Sequence, residues 1–557
     1  MVIEIPALGR PFSLGMLYDC RDDKLIPGIT FWKKETLEKD VQTTSQENTC
    51  FDILASDTMA DKSSALNIKT SLKASVLCSL VHVGGSANFL QDMKTSKTQA
   101  RITLKYCRST RYSQLSMNHL SPGNLSYHDG FDKGIATHVV TGILYGAQAF
   151  FIFDQDVKPE QNAMDVQGNL EAMIRKIPQI AVNAQINSTV KETVSKFNCK
   201  FHGDFALERN PVNYEDAINI YASLPKLLGD NGKKAVPVKV WLHPLSKLDK
   251  RAATLVREIG DNLVFKTESI IQQMAEVNMQ CNDLMKHPVA ETFPDVERKI
   301  RQFREYCEQF TLGFQKQLTQ TLPSIRGGEM DEAALAEILK VKEESPFREL
   351  DITEFLRKIL HEMDFIKSLL EALPKIQLVP TENKLREAVI KPDIDFTVCF
   401  NFTSLSSFDP YLLHIHDWLD MNRFTPGRVN EKMNAPHWFG ELGMTRKARQ
   451  YVKEFYAFFC ANLNNNRTQF VVSSLLDKNN PGISIYLYEE GELINTNFKL
   501  PSQPDPMVIT MKTHNTIELS LRPAELGRES IKSFRVEHKC VHDDVWLSLN
   551  VQKMEKN

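Results

Sequence analysis

Long hydrophobic runs are missing from this chain. Nowhere in its 557 residues do roughly 18 consecutive apolar positions occur, which excludes a constitutive membrane-spanning helix. A leader is missing too: the start, MVIEIPALGRPFSLGML, has no basic stretch followed by an apolar block. The protein is therefore expected to be cytoplasmic as made, released if at all by a non-classical route, and membrane-associated only when active. Charge excess is small, 67 Lys and Arg against 70 Asp and Glu, so no nucleic-acid partner is expected. Ten cysteines stand at positions 20, 50, 78, 107, 199, 281, 307, 399, 460 and 540, none within four residues of another. That spacing excludes CxxC redox motifs and zinc knuckles, and the cysteines read as reduced, half-buried thiols. No P-loop, Gly-rich nucleotide motif or Ser/His/Asp set stands out, so no catalytic residue, cofactor or enzymatic activity is expected. His414-x-His416 would share one face of a strand, but only Asp417 accompanies it, too few ligands for a metal.

What is present is a change of period along the chain. A composition of 42% hydrophobic and 25% charged residues is ordinary for globular protein, and the length requires several domains. Residues 1–249 hold short apolar strands: Phe51–Ala55, Arg101–Tyr106, Ala149–Phe153, Lys200–Leu207 and Val236–Leu242. Residues 250–380 carry helical stripes: Ile270, Met274, Val277, Cys281 and Leu284; Val296, Ile300, Phe303, Cys307, Phe310, Phe314 and Leu318; Leu356, Ile359, Met363, Ile366, Leu370 and Leu373. These predict a helical bundle, with Glu332–Val341 as a shorter member. Residues 381–502 alternate an apolar strand, IDFTVCFNF, a helix near Arg446–Leu463, and the strands TQFVVSSLL and ISIYLYEEGELI, which predicts a small α/β domain. Residues 503–557 alternate apolar and polar positions in ITM, IELSL and FRVEHK, the pattern of part of a β-sandwich.

Two stretches of the first region read both as helix and as β-hairpin. In residues 165–191, Val166, Gly168, Leu170, Ala172 and Ile174 share one strand face. After a break at Lys176-Ile177-Pro178, Ile180, Val182, Ala184 and Ile186 share a face as well. Each arm has the roughly 9–11 residues that cross a bilayer as a tilted strand, with one apolar and one polar side as a barrel wall requires. Read as a helix, Leu170, Met173, Ile174 and Ile177 form a stripe. In residues 57–89, Leu66, Ile68, Leu72, Ala74, Val76 and Cys78 alternate with Asn67, Lys69, Ser71, Lys73 and Ser75. Ile68, Leu72, Val76 and Leu80 also sit at helical steps. Beyond Leu80 the apolar face moves to odd positions, Val81, Val83, Ala87 and Phe89. The parity flips around Leu77–Leu80, where a hairpin tip or bulge is expected.

Between these stretches, ATHVVTGILYGA resembles the membrane-attack-complex/perforin signature, an aromatic-Gly-Thr-His-aromatic run followed after six residues by Gly-Gly. Thr137, His138 and Gly146 match; Ile135-Ala136, Val139 and Ala147 depart from it. PALGRPFSLGMLYDCRDDKLIPG, VHVGGSANFL, LYGAQAFFIFD, CKFHGDFALE and AVPVKVWLHPL are similar to the stonefish toxin (stonustoxin/verrucotoxin) family of the perforin/cholesterol-dependent cytolysin superfamily. The resemblance implies an α+β multidomain fold. A bent central antiparallel sheet flanked by helical clusters would occupy 1–249, a focal-adhesion-targeting-like bundle 250–380, and a thioredoxin-like domain without CxxC 381–502. A partial fibronectin type III-like tail at 503–557 stands where the family carries a PRYSPRY domain. It further implies a pore former that oligomerises on a lipid membrane, with a homologous subunit in a hetero- or homo-oligomer, and inserts two β-hairpins per subunit. The inserting residues would be Leu66, Ile68, Leu72, Val76, Val166, Leu170, Ile174, Ile180, Val182 and Ile186. Gly84, Gly85 and Gly146 would let the sheet bend. The alternative is a non-lytic intracellular scaffold that keeps the fold.

Overall fold

The computed structural model describes residues 2–39, 41–121, 124–127, 131, 134–183, 197–421, 438–440, 442–501, 506–520, 533–539 and 545–552. They divide into two compact units. The first comprises Met1–Asp283, Phe303–Ile352 and Ile415–Val429; the second comprises Leu284–Gln302, Thr353–His414 and Asn430–Asn557.

The first unit is built on an eight-stranded sheet. Its strands are β1 (Ile3–Pro6), β2 (Leu17–Asp19), β3 (Lys24–Ile26), β4 (Gln42–Leu54), β5 (Gln99–Gln114), β6 (His138–Asp156), β7 (Asn198–Gly203) and β8 (Val236–Pro244). The long β6 is the spine. β5 runs along it antiparallel, β8 and β2 pair with its early part, and β7 with its late part. β6 is rich in β-branched and aromatic residues and is buried on both faces, so it reads as a near-continuous apolar run. β4 pairs only with β5 and forms an edge with exposed side chains over most of its length. The strands expected at Phe51–Ala55, Arg101–Tyr106 and Ala149–Phe153 lie within the longer β4, β5 and β6, except that β4 ends at Leu54, whereas the one expected at Lys200–Leu207 ends at Gly203.

That pairing corrects the expectation of reduced thiols throughout. Cys50 and Cys107 are opposed across β4 and β5 with Cα atoms 5.2 Å apart and are joined as a disulfide. Spacing in sequence could not show a partner brought by strand register. The thiols of Cys20, Cys78, Cys199, Cys281, Cys307 and Cys399 are free and buried, and that of Cys460 is free and exposed.

The helices expected after residue 250 are present: Asp261–Met285, Pro294–Gly327, Ala333–Glu344 and Glu349–Glu371. Their stripes are buried, including Met274, Cys281, Phe303, Cys307, Phe310, Met363 and Ile366. In the second unit a five-stranded sheet has the order β13-β12-β10-β11-β9. These are Gln377–Val379 (β9), Phe396–Phe402 (β10), Thr468–Ser474 (β11), Ile483–Glu489 (β12) and Glu492–Asn495 (β13). β10 and β11 are parallel, with the helix Leu442–Ala461 in the crossover between them; β12 pairs antiparallel with the other edge of β10, and β13 returns along β12 through the turn at Glu490-Gly491. Cys399 is fully buried in β10, as its apolar strand requires. His414 and His416 lie on the helix Pro410–Asp420, not on a strand, so two-residue spacing sends them to different sides. The tail forms two separate hairpins, Val508–Lys512 with Ile517–Ser520 and Ser533–His538 with Leu547–Gln552.

Candidate functional site: two convertible segments on one sheet

Over the described residues both ambiguous stretches hold helices, and they flank the sheet from opposite sides. Residues 59–77 form α1 (Met59–Ala65) and α2 (Thr70–Leu77), followed by a 3-10 turn at Gly85–Gln91. Thr58 caps α1, accepting from the Asp61 amide at 3.2 Å. The single long stripe Ile68-Leu72-Val76-Leu80 is corrected: Asn67 turns left-handed at φ 56° and Ser79 at φ 63°, so the stretch breaks into short helices. Leu66, Ile68 and Leu72 are buried in one core with Phe89, Phe150 and Ile152, and Val76 packs against it half-buried. Phe89 stacks on Phe150 with ring centres 4.3 Å apart.

The second stretch forms α3 (Ala163–Ile174) and α4 (Ile177–Asn183), with Asn162 capping α3. Val166, Leu170, Ile174 and Ile177 are buried with Phe151 and Phe153, and Ile180 packs against them half-buried. Alternation along β6 thus assigns one stretch to each face: even residues Phe150 and Ile152 to the first, odd residues Phe151 and Phe153 to the second. The Val182 side chain and Ile186 lie outside the described residues.

The first stretch is tied down by polar groups. Lys62, fully buried, sits 2.9 Å from Asp57 and donates to the Asp92 carbonyl at 2.5 Å. Arg101 on β5 makes a bidentate pair with Asp154 at 2.7 and 2.8 Å and reaches Asp92 at 3.0 Å and Asp57 at 3.3 Å. His202 Nε2 lies 3.0 Å from Asp92. Burial opposes the Asp92 charge, but the His202 hydrogen bond and the Arg101 and Lys200 charges outweigh it and hold its carboxyl well below the usual range. From the helical region, Arg326 donates to Ser71 O at 2.5 Å, to Ser75 Oγ at 2.7 Å and to Asp23 at 3.0 Å. Asp23 also accepts from Tyr18 at 2.7 Å and from Ser75 at 2.5 Å. Gln315 and Thr319 donate to the carbonyls of Leu77 and Cys78, which end α2, at 2.8 and 2.6 Å. Lys73 sits 2.6 Å from Glu268 as an ion pair without hydrogen-bond alignment. The Arg101–Asp154, His202–Asp92, Arg326, Gln315, Thr319 and Lys73–Glu268 anchors were not legible in the sequence, because each joins residues far apart in the chain.

Thr137 and His138 of the signature are buried and bonded within the fold. Thr137 Oγ1 accepts from the Cys20 amide at 2.8 Å, and His138 Nδ1 lies 3.1 Å from Cys20 Sγ. Burial pushes His138 down to about 4 and Cys20 up to about 12, so both are neutral and the pair is not a thiolate–imidazolium nucleophile. Gly146 lies where both ladders beside β6 shift register; a Cβ there would meet Arg108 O at 2.2 Å. Gly85 has φ +54°, and a Cβ on it would meet Asp204 Oδ1 at 2.4 Å; Gly84 N donates to Leu8 O. Among the described residues no group of His, Cys, Asp and Glu could hold a metal, and no helix is long and apolar enough to cross a membrane.

The sheet register meets the sequence pattern at both stretches. β4 and β5 pair Leu54 with Thr103; continued one residue at a time from each side, that ladder closes between Cys78 and Ser79. Its partners are then of opposite parity, so an apolar face on even positions must pass to odd positions at the tip. The sequence makes that change at Leu77–Leu80. β6 and β7 pair Asp154 with Asn198, and their ladder, continued in the same way, would close on Lys176. Its partners share parity, so no change is required, and Ile174 and Ile180 keep the same face on either side of the break.

The profile of the stonustoxin helical domain matches residues 269–364, and that of the thioredoxin-like SNTX domain matches residues 375–500. Neoverrucotoxin subunit alpha of Synanceia verrucosa is 36% identical over 512 residues, covering 90% of this chain and 72% of the relative. The chain belongs to the stonustoxin family. Cytolytic toxin-alpha of Scorpaena plumieri is 34% identical over 507 residues, covering 90% of this chain and 71% of the toxin. The solved stonustoxin structure matches with a TM-score of 0.71 at 30% identity, over 89% of this chain and 70% of that one. The matched thioredoxin-like range contains Cys399 and Cys460 and no CxxC pair.

Proposed function

We propose that this chain is a pore-forming protein of the stonustoxin family that oligomerises on lipid membranes and inserts two β-hairpins per subunit, one from residues 57–97 and one from 157–196. The observation that carries this reading is the agreement of register and parity at both stretches. A soluble helical packing needs an apolar stripe; it has no need for alternation that changes phase where one ladder would close and keeps phase where the other would. The apolar residues that would face lipid, Leu66, Ile68, Leu72, Val76, Val166, Leu170, Ile174, Ile180, Val182 and Ile186, fall on the same side of these continued ladders. Insertion has to be concerted, because a single hairpin in lipid would expose unpaired backbone that only a closed barrel satisfies. A homologous subunit as partner is supported by relatives named as alpha and beta subunits.

Dye release from phosphatidylcholine–cholesterol vesicles tests the mechanism. Cysteines placed at Lys73 and Glu268, in a chain carrying Cys460→Ser and Cys540→Ser, would be bridged by a short bismaleimide. The uncrosslinked protein is expected to release dye and the bridged protein to release none. Release that survives bridging sinks hairpin insertion by the first stretch. No release in any form, with or without a homologous subunit, favours the non-lytic scaffold.

A further inference from the structure

The continued register also decides what the inserted wall would present to water. We propose that the pore conducts anions in preference to cations, because Lys69 and Lys73 face its lumen. This rests on the hairpin reading above. Both lysines take the face opposite Ile68 and Leu72, since side chains alternate along a strand. With the ladder closing between Cys78 and Ser79, Lys69 stands across from Asn88 and Lys73 across from Gly84. Neither has a carboxylate partner. Between Asn67 and Asn88 the chain contains no Asp or Glu at all, and Asp61 and Asp92 fall beyond the roughly ten residues per arm that cross the hydrocarbon. On the second hairpin the polar face of the spanning arms carries Glu171 and Arg175, whose charges cancel. Each subunit therefore adds net positive charge to the wall, and an oligomer turns it into rings of lysine. Such rings, beside a low-dielectric wall, raise the local concentration of anions and exclude cations.

The folded form is consistent with this assignment. Lys73 is neutralised by Glu268, a residue outside the hairpin that the inserted strand would leave behind. Lys69 is already exposed, so its replacement does not disturb the packed helices.

Single-channel recording of the full chain in planar phosphatidylcholine–cholesterol bilayers, under a potassium chloride gradient, gives the chloride-to-potassium permeability ratio. The ratio is expected above unity for the native chain and below unity for Lys69→Glu with Lys73→Glu. Lys69→Glu alone should move it part of the way. Native channels with a ratio at or below unity, or a ratio that Lys69→Glu leaves unmoved, overturn the proposal while leaving pore formation intact. An environment-sensitive dye on single cysteines at Ser75, Val76, Val81 and His82 separates the two readings. Lipid-like emission at Val76 and Val81 alone supports the register. Lipid-like emission at Ser75 or His82 overturns the register. Aqueous emission at all four positions overturns hairpin insertion and the anion preference with it.

Discussion

The two convertible stretches rest on one sheet but are held in different ways. The second is attached by its apolar stripe, with Leu170, Ile174 and Ile177 in the core and little directional bonding beyond Tyr214 Oη to the Met173 carbonyl and Gln167 to the Ala55 carbonyl. The first has an apolar contact too, but it also has buried charges at its start and side chains from the helical region at its end. A cavity of about 290 Å³ beside it, lined by Val76, Val81, Met93 and Ile271, shows that its apolar packing against the helices is incomplete. Hydrophobic contact is graded and non-directional, whereas a buried ion pair is either made or broken at a cost of several kcal/mol. The first stretch is thus built as a latch and the second as a seal.

The largest effect is expected at Arg326. Arg326→Met removes the hydrogen bonds that Ser71 and Ser75 of α2 accept from the helical region and leaves Asp23 without its paired guanidinium, which should cost about 3–5 kcal/mol. In urea unfolding the midpoint should fall, and amide exchange should accelerate over 70–77 but not over 163–174. Equal acceleration in both stretches would erase the distinction between latch and seal.

Leu170→Ala should cost about 3 kcal/mol through lost contacts and a cavity beside Phe151 and Phe153. Here exchange over 163–174 should rise while 70–77 stays protected.

Acid should act on the latch side. His138 is held neutral by burial, with its pKa lowered to about 4 from 6.5, so the folded form binds fewer protons than the unfolded one. Its contribution is fully present above about pH 6.5 and is lost as pH falls towards 4, up to about 3 kcal/mol. His138 touches Cys20 and Thr137, and Thr137 donates to the Tyr18 carbonyl; the Tyr18 hydroxyl bonds Asp23, the Arg326 partner. Melting temperature followed from pH 7 to 4.5 should drop, and His138→Gln should flatten that slope. The smallest effect is expected at Lys73→Gln, about 2 kcal/mol: the buried Glu268 carboxylate loses its cation, but the neutral amide still offers it a donor.

Much of the architecture could be read before any coordinates. The helical stripes after residue 250 and the strand-helix-strand order around Phe396–Phe402 follow from periodicity, which reports which face of an element is buried. The reading of His414 and His416 as strand neighbours failed because a short polar-apolar alternation does not separate a strand from the start of an amphipathic helix. The Cys50–Cys107 bond and the Asp57, Asp92, Arg101 and Asp154 cluster were invisible for a different reason. Strand register brings Cys50 to Cys107 and Arg101 to Asp154, while Asp57 and Asp92 reach Arg101 from the loops beside those strands.

What the sequence determined alone was the dual pattern itself: alternation and helical stripe written into the same residues, with a phase change at Leu77–Leu80 and none at Lys176–Pro178. Local periodicity is a property of neighbouring residues and needs no fold to exist. The tertiary structure decided which of the two patterns is expressed, since Phe150 and Ile152 on one face of β6 and Phe151 and Phe153 on the other bury the stripes as helices. It also decided the register from which each hairpin would grow, because strand partners are chosen by long-range packing that no local pattern encodes.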